Sequence, residues 1–405
     1  MTTPRGTGTV ARVDVHALAA GGDGIGRDRS GRATFIAGTA PGDVVRARVV
    51  EAHARWARAE LVAIDVRSPA RVEPPCPLFV AGTCGGCQWQ HVTVEAQRAA
   101  KQQLVAGALR RLIGAGLELR PLLAPVADYH WRRRARWSVA GGAIGFHAPR
   151  SHAVADLAGV CLQVEPALDA VLVAIRDGAV IAPGATGEIH AAVGPGGAHV
   201  VLAVPVDDAA AAALVGRAGI AGVAWPGGAA GAAAIELEPG LWGRGDDFAQ
   251  ASAAGNDALR ALVRDACAVA PGARVLELHA GGGNFTRDLL AAGADVTAVD
   301  ERPPSRPIGS VVTGPAAEVV ARLGRDGARF EVVLLDPPRT GARDVVGALA
   351  ALGPRRIIYV SCDPATFARD ADVLAAAGLT PRWAQALDLM PQTAHVELVA
   401  CFEAA

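Results

Sequence analysis

From about residue 255 onwards, short apolar runs alternate with segments in which apolar positions recur every three or four residues. The runs predict buried strands and the periodic segments predict helices. The predicted strands are residues 274–278, 295–299, 332–335, 357–360, 384–389 and 396–402, and the predicted helices are residues 256–269, 285–292 and 364–377. Strands that alternate with helices indicate a doubly wound, mostly parallel sheet, whose ligands bind beyond the carboxyl ends of the strands.

The N-terminal part follows a different pattern. Short runs without helical periodicity are separated by glycine-rich turns at residues 21–26 and 41–43. The predicted strands are residues 9–15, 33–36, 44–50 and 59–64. Several short strands of this kind predict a small closed OB-like β-barrel, a fold that often binds oligonucleotides. Charge and a stacking surface would come from Arg46, Arg48, Arg55, Arg58 and Trp56, although Trp56 in a plain barrel would simply be partly buried.

Between these two patterns lies a mixed region. It opens with a proline-rich stretch at residues 68–77 and continues with helical periodicity at residues 94–113. An alanine-rich tract at residues 207–221 is a further candidate helix. We therefore predict three domains: a barrel at 1–69, a mixed α+β domain at 70–248 and an α/β domain at 249–405.

Composition and charge narrow the function. Of the 405 residues, 51% are hydrophobic and 20% charged, which excludes global disorder. No signal peptide is visible and charges interrupt the most apolar stretch at residues 200–225, so we expect a soluble, cytoplasmic protein without a membrane partner. Residues 1–150 carry 21 basic and 11 acidic side chains, whereas the remainder carries 18 and 29. The basic third favours a polyanionic partner, with ordinary uneven surface charge as the alternative.

Cysteine usage indicates metal chemistry. Seven cysteines, an odd number without an export signal, argue against a disulfide framework. Cys76, Cys84 and Cys87 lie in one short segment, and Gly85 and Gly86 would let the backbone donate N–H groups to sulfur. Zinc sites more usually show paired C-x-x-C steps or histidine partners. Binding of a metal ion or an iron–sulfur cluster is therefore favoured over a chance clustering of these three cysteines.

A nucleoside cofactor is indicated by the glycine loop at residues 277–285, which connects a predicted strand to a helix. Glycines allow close backbone approach, and the start of the helix presents free N–H groups. Asp300 ends the next strand, where a carboxylate can accept ribose hydroxyls. By itself this pattern fits a dinucleotide about as well as S-adenosylmethionine.

Three further strand ends carry reactive groups. Asp336 precedes a rigid Pro-Pro turn that suits a planar ring, with a stiff capped loop as the alternative. Cys362 precedes Asp363, an expected helix N-cap, and the helix dipole is expected to lower the thiol pKa. Glu397 lies near the start of the last predicted strand, where it could act as a general base or simply be solvated. These groups indicate a nucleophilic thiolate with a nearby base.

Together these motifs resemble the RNA uracil-C5 methyltransferases that use S-adenosylmethionine, in the branch with an N-terminal TRAM barrel and a four-cysteine iron–sulfur cluster. The resemblance spans nearly the whole chain, and residues 129–136 are similar to the family's central RNA-binding region. The most specific motifs are Cys84-Gly85-Gly86-Cys87, Asp336-Pro337-Pro338-Arg339, Ser361-Cys362-Asp363-Pro364 and His395-Val396-Glu397. Because the second motif lacks cysteine, it argues against the RNA cytosine-C5 enzymes.

The resemblance implies a Rossmann-like methyltransferase domain, with Cys362 as nucleophile and Glu397 as proton acceptor. It implies that S-adenosylmethionine is contacted by Gln250, His279, Asn284, Asp300 and Asp336, and that a [4Fe–4S] cluster is held by Cys76, Cys84, Cys87 and Cys161. The favoured substrate is 23S rRNA, with tRNA left open, and no obligate protein partner is inferred. Prolines at residues 303–307 cannot form the helix that the family has there, which predicts a looser adenosine pocket. The alternatives are a catalytically weak RNA-binding protein and, less favoured, a redox protein.

Overall fold

The structure is a computed structural model that describes residues 8–157, 161–302, 306 and 308–404. It divides into two compact units. The first consists of Met1–Leu104, His147–His152 and Met390–His395, and the second of Val105–Phe146, Ala153–Leu389 and Val396–Ala405. The three-domain boundaries inferred from the sequence stay a prediction. The sequence predicts that no helix forms at residues 303–307, and most of these residues lie outside the described part of the chain.

The first unit begins with a closed five-stranded barrel, as predicted. Its strands are β1 (Val10–Leu18), β2 (Gly24–Arg27), β3 (Ala33–Ile36), β4 (Val44–Ala52) and β5 (Trp56–Val66), in the order β1-β2-β3-β5-β4. Along β4, Val45 and Ala47 are buried while Arg46 and Arg48 face outward. The predicted turn at residues 21–26 is partly wrong, because β2 starts at Gly24. A Cβ at this glycine would lie 2.0 Å from Thr39 Oγ1, so the glycine serves close packing.

After the barrel come the helices α1 (Pro77–Val80), α2 (Val94–Ala108) and α3 (Arg110–Gly114), and then strand β6 (Glu118–Leu123). The predicted helix at 94–113 is interrupted at Leu109, whose φ of −93° and ψ of 7° leave the helical region. On α2, the chain's single lysine, Lys101, is fully buried and donates to the Met390 carbonyl at 3.0 Å. Gln97 exchanges hydrogen bonds with Gln392, at 2.9 Å each. The helix therefore anchors the segment Met390–His395 within the first unit.

The middle of the chain forms a seven-stranded sheet in the order β13-β12-β11-β10-β7-β8-β9. Its strands are β7 (Arg134–Ala140), β8 (Ala143–His147), β9 (Val154–Asp156), β10 (Gly187–Gly194), β11 (Gly197–Ala203), β12 (Ile220–Trp225) and β13 (Gly228–Gly231), with helices α4 (Pro166–Asp177) and α5 (Asp208–Ala212). The candidate helix at 207–221 is wrong beyond Ala212. Gly216 adopts a left-handed φ of 87° there, and the chain then enters β12.

The hairpin of β14 (Ile235–Glu238) and β15 (Leu241–Gly243) precedes an eight-stranded sheet in the order β18-β17-β16-β19-β20-β22-β21-β6. The remaining strands are β16 (Arg274–Leu278), β17 (Asp295–Asp300), β18 (Ser310–Thr313), β19 (Val332–Leu335), β20 (Arg356–Ser361), β21 (Leu379–Leu387) and β22 (Glu397–Ala404). The helices are α6 (Ala253–Cys267), α7 (Thr286–Ala291), α8 (Ala316–Arg325), α9 (Val346–Leu349) and α10 (Pro364–Ala376). Sequence reasoning missed β18 and α8.

This sheet is parallel from β18 to β20, and β22 then pairs antiparallel with both β20 and β21. Its central strands are apolar throughout; Val332–Leu335, for example, is buried along its whole length. Helices that cover both faces of such a sheet leave its strands no polar side. The predicted doubly wound fold is confirmed, and its carboxyl edge is where the functional side chains gather.

Candidate active site

Four parallel strands bring their carboxyl ends to one edge of the eight-stranded sheet. β16 pairs with β17 and β19, and β19 pairs with β20. His279, Asp336 and Cys362 are the first residues after β16, β19 and β20, and Asp300 is the last residue of β17. The topology thus brings together groups that lie more than eighty positions apart along the chain.

The glycine loop after β16 is held by hydrogen bonds to the neighbouring strand. His279 adopts a left-handed φ of 61°, a conformation that few non-glycine residues occupy. The Ala280 N–H donates to the Val299 carbonyl at 3.1 Å, and the Gly281 N–H donates to Asp300 Oδ2 at 2.8 Å. Asp300 Oδ1 accepts the N–H of Arg302 at 2.9 Å. Asp300 therefore fixes the shape of the loop.

Beside this loop lies a cleft that is open to solvent. Its lining combines apolar side chains with amide and ionisable groups: Leu241, Phe248, Ala249, Gln250, His279, Ala280, Gly281, Gly282, Asn284, Phe285 and Asp336. Four of the five predicted cofactor residues are thus brought together. Asp300, the fifth, is not among the described residues that line the cleft; it contacts the loop through its hydrogen bond with Gly281.

Cys362 lies at the carboxyl end of β20, directly before α10. Asp363 Oδ1 accepts the N–H groups of Ala365 and Thr366, each at 2.9 Å, so the predicted N-cap is confirmed. Partial burial, reinforced by the nearby charge of Glu397, raises the pKa of the Cys362 thiol to about 11. The expected lowering of this pKa is wrong, because Asp363 occupies the helix N-terminus while the thiol is desolvated beside carboxyl groups.

Glu397 faces the thiol from the neighbouring strand. Ser361 pairs with Leu398 in the antiparallel register of β20 and β22, which places Cys362 and Glu397 at the next opposed position. Glu397 is 6% exposed, and burial together with the charge of Asp336 holds its pKa well above the ordinary range. Burial also raises the pKa of Asp336 to about 7. The positive charge of Arg339 acts in the opposite direction and lowers the pKa of both Cys362 and Glu397.

The loop that carries Arg339 is braced from α10. Asp370, fully buried, accepts the Tyr359 hydroxyl at 2.8 Å and the Ala342 N–H at 2.7 Å. Arg369 donates to the Thr340 carbonyl at 2.9 Å. Sequence reasoning missed Asp370, although an acidic residue among the apolar positions of α10 was a usable signal. The segment directly after the Asp-Pro-Pro-Arg turn is therefore held by two residues of α10.

The four cysteines predicted as cluster ligands lie in two different units. Cys76 is buried at the start of α1, and Cys84 Sγ accepts the Gly86 N–H at 3.4 Å. Cys87 follows in the same unit, whereas Cys161 belongs to the second. Among the described residues, no group of three His, Cys, Asp or Glu side chains is arranged to hold a metal ion. The cluster ligands therefore stay a prediction.

The barrel carries the surface predicted for RNA. Arg46 and Arg48 point outward from β4, and Arg46 is paired with Asp65 at 3.0 Å. Trp56 is half-buried and stacks on His53 with ring centroids 4.1 Å apart. Its predicted role as a base-stacking surface stays a prediction.

Two family models match the chain. The TRAM domain matches residues 4–62, which includes most of the barrel. The model described as tRNA (Uracil-5-)-methyltransferase matches residues 322–404, the part that carries Asp336, Cys362 and Glu397.

Curated relatives match over almost the full length. A protein of Pseudomonas putida named 23S rRNA (uracil(1939)-C(5))-methyltransferase RlmD is 34% identical, with 98% of this chain and 94% of the relative covered. A protein of Thiobacillus denitrificans with the same name is also 34% identical, covering 96% of this chain and 99% of the relative. The chain belongs to the RNA uracil-C5 methyltransferase family. The predicted family, the methyltransferase activity and S-adenosylmethionine as methyl donor are confirmed.

A solved structure shows the same fold. The Pyrococcus abyssi tRNA (uracil-54, C5)-methyltransferase in complex with S-adenosyl-L-homocysteine superposes with a TM-score of 0.73 at 20% identity, covering 96% of this chain and all of that one. At this identity the similarity concerns the fold alone. No helix in the described ranges of this family member is long and apolar enough to cross a membrane.

Proposed function

We propose that this protein methylates C5 of uracil in 23S rRNA. The observation that carries the proposal is the opposed placement of Cys362 and Glu397 at the ends of β20 and β22, with Asp336 beside them in the cofactor cleft. The names of the curated relatives support rRNA as the substrate. Methylation of tRNA is the second candidate, supported by the family model that matches residues 322–404, which is described as tRNA (Uracil-5-)-methyltransferase.

The cleft has the chemistry that S-adenosylmethionine requires. Apolar side chains such as Leu241 and Phe285 suit a purine, and the amides of Gln250 and Asn284 suit the polar amino-acid end. A Cβ on Gly282 would lie 3.3 Å from Leu241 Cδ1, so a side chain there would enter the cleft. In our proposal the cofactor is contacted by Gln250, His279, Asn284 and Asp336, and by Asp300 at the loop. When bound, it supplies an electrophilic methyl group.

Uracil C5 is by itself too weak a nucleophile to take up a methyl group, and Cys362 is the residue that activates it. Addition of its thiolate to C6 breaks the C5–C6 double bond and makes C5 electron-rich, so that C5 can accept the methyl group. C5 then carries a proton as well as the methyl group. Because the thiol pKa is raised, we expect the thiolate to form only when its proton is transferred to a neighbouring base.

Glu397 completes the reaction by removing the C5 proton. As that C–H bond breaks, its electron pair restores the C5–C6 double bond and the Cys362 thiolate leaves. A carboxylate with a raised pKa is a stronger base once ionised, which suits this step. Replacement of Glu397 by glutamine should therefore stop the reaction at the covalent adduct.

RNA is held, in our proposal, by the barrel and by the arginine-rich segment at residues 129–136. A uracil must leave the RNA stack before its ring can reach Cys362, which requires a surface that grips the surrounding phosphates. We assign RNA binding to the domains at 1–69 and 70–248, and methyl transfer to the domain at 249–405. We also propose that the protein works in the cytoplasm, in keeping with a ribosomal RNA substrate.

We further propose that Cys76, Cys84, Cys87 and Cys161 hold a [4Fe–4S] cluster. Thiolates are the usual ligands of such clusters, and the Gly86 N–H already donates to Cys84 Sγ. Its role would be structural, since uracil methylation needs no electrons. Anaerobic purification should yield a brown protein containing iron and sulfide; a colourless protein containing zinc would contradict the assignment.

The decisive experiment is tritium release from [5-³H]uridine-labelled transcripts of 23S rRNA and of tRNA, incubated with S-adenosylmethionine. Release from the 23S transcript alone is expected. Release from the tRNA transcript alone would identify tRNA as the substrate instead. No release from either, with cofactor binding demonstrated, would favour a catalytically weak RNA-binding protein.

Two variants test the assigned roles. Cys362→Ala should abolish release while RNA binding is retained, whereas Cys401→Ala, which removes a buried thiol outside the site, should release tritium normally. Glu397→Gln should give an SDS-stable RNA–protein adduct. Residual turnover in the first variant, or no adduct in the second, would refute the corresponding role.

A further inference from the structure

One buried carboxylate connects the two segments that shape the cofactor cleft. Glu238, the last residue of β14, is 4% exposed. Its Oε1 accepts hydrogen bonds from Arg133 and, at 2.6 Å, from Asn256 Nδ2. Its Oε2 accepts a hydrogen bond from Arg287 and lies 3.8 Å from Arg260 Nη1. A carboxylate with this many charged and amide partners is strongly constrained in position.

Arg133 extends the network to one wall of the cleft. Its side chain is 5% exposed, and its Nε donates to the Gln250 carbonyl at 3.1 Å. Its Nη1 donates to the Leu237 carbonyl at 3.2 Å, and its own N–H donates to the Ala251 carbonyl at 2.9 Å. A buried guanidinium that loses its carboxylate partner must move or admit water. Either response would shift the Gln250 segment.

Asn256 extends the network to the glycine loop. Its side-chain amide and that of Asn284 exchange two hydrogen bonds, each at 2.8 Å. Arg287 also donates to the Asn284 carbonyl oxygen and to Asn284 Oδ1, each at 3.3 Å. The side chain of Asn284, which lines the cleft, is therefore held by two groups that both contact Glu238.

We propose that Glu238 is a positioning residue for S-adenosylmethionine: through Arg133 it holds Gln250, and through Asn256 and Arg287 it holds Asn284, on two walls of the same cleft. The inference rests on the proposed cofactor site. It assigns Glu238 no contact with the cofactor. Because the network organises the cleft before binding, its loss should weaken cofactor affinity while the chemical step at Cys362 is spared.

The test compares cofactor affinity with turnover in the full-length protein. Glu238→Gln keeps the size of the side chain but removes its charge, and Asn256→Ala removes the link to Asn284 while the arginines keep their carboxylate. Titration calorimetry with S-adenosylmethionine should give a dissociation constant about tenfold higher or more for each variant. At saturating cofactor, kcat for tritium release should stay within about twofold of the wild-type value.

Glu403→Gln is a control for the loss of a carboxylate that pairs with arginines. Glu403 also pairs with two arginines, Arg356 and Arg382, at 2.9 and 3.0 Å, yet it lies on β22 and contacts neither Gln250 nor Asn284 through them. Its affinity for S-adenosylmethionine should be that of the wild type. A double variant of Glu238 and Asn256 should lose less affinity than the two single effects added, because both act on Asn284.

The outcomes separate this inference from the proposed function. If the wild-type protein binds S-adenosylmethionine and a folded Glu238→Gln variant binds it with the same affinity, the inference about Glu238 is overturned. The proposed function would not be affected by this result. A loss of kcat with unchanged KM would also overturn the inference, since a positioning role predicts the reverse. If Glu238→Gln does not fold, Asn256→Ala decides by the same criteria. Failure of the wild-type protein to bind S-adenosylmethionine would overturn the cofactor site and the inference with it.

Discussion

The reactivity of Cys362 should rise steeply with pH across the neutral range. The structure raises the pKa of this thiol to about 11, first through partial burial and then through Glu397. With that pKa, roughly one molecule in 10⁴ carries the thiolate at pH 7, and roughly one in 10² at pH 9. Because the thiolate is the reacting species, alkylation should accelerate about tenfold per pH unit between these values.

The assay is alkylation by iodoacetamide from pH 6 to 10, quantified by mass spectrometry of the peptide that contains Cys362. Cys267 is 1% exposed and serves as an internal reference that should stay unmodified while the protein is folded. Cys362→Ala identifies the peptide signal. A plateau reached by pH 8 would refute the reasoning, because it would show a thiol pKa near neutrality, as the helix dipole alone predicts.

A second arm tests the electrostatic cause. Arg339 lowers the pKa of Cys362, so Arg339→Gln should slow alkylation at each pH without changing the slope of the curve. Arg382→Gln, which removes an exposed charge on β21, should have no effect. Equal behaviour of the two variants would show that Arg339 does not act on the thiol.

Two predictions concern stability. Burial raises the pKa of Glu277 from 4.5 to about 8, so the folded protein binds a proton that the unfolded chain releases, and this contribution to stability is lost as pH rises from 4.5 through 8. Glu277→Gln should therefore reduce the fall in Tm between pH 6 and 9 measured by calorimetry; an unchanged fall would contradict the assignment. Asp370→Ala leaves the Tyr359 hydroxyl and the Ala342 N–H unpaired in the core and should lower the free energy of unfolding by about 2–4 kcal/mol. Tyr359→Phe should cost only about 1 kcal/mol in the same urea titrations, and equal losses would argue against Asp370 as the centre of this brace.

The order and type of the catalytic-domain elements could be predicted from the sequence because they depend on local patterns. The apolar run at Val332–Leu335 needs no knowledge of its neighbours to be identified as a buried strand. The N-cap at Asp363 is equally local, since a carboxylate and a following proline specify the start of a helix. The family motifs are also short segments, which is why the sequence is enough to single out Cys362 and Glu397.

Local patterns mislead where the cause is a distant contact. The glycine-rich pattern predicts a turn at Gly24, but Gly24 lies in strand β2, where a side chain would clash with Thr39. The alanine-rich tract predicts a helix, yet the α-helix ends at Ala212, and the chain turns at Gly216 before it enters β12. Propensity is a weak guide wherever packing decides the conformation.

The sequence alone determined the family and the fold class and was enough to nominate the candidate reacting groups, because the motifs behind each are contiguous residues. The tertiary structure decided the burial, the neighbouring charges and the hydrogen-bond partners of those groups. The pKa of Cys362 depends on burial and on Glu397, and the network at Glu238 joins Arg133, Asn256 and Asn284 from separate parts of the chain. Desolvation and charge–charge interaction depend on distances in space, and no spacing along the chain encodes them until the strands are paired.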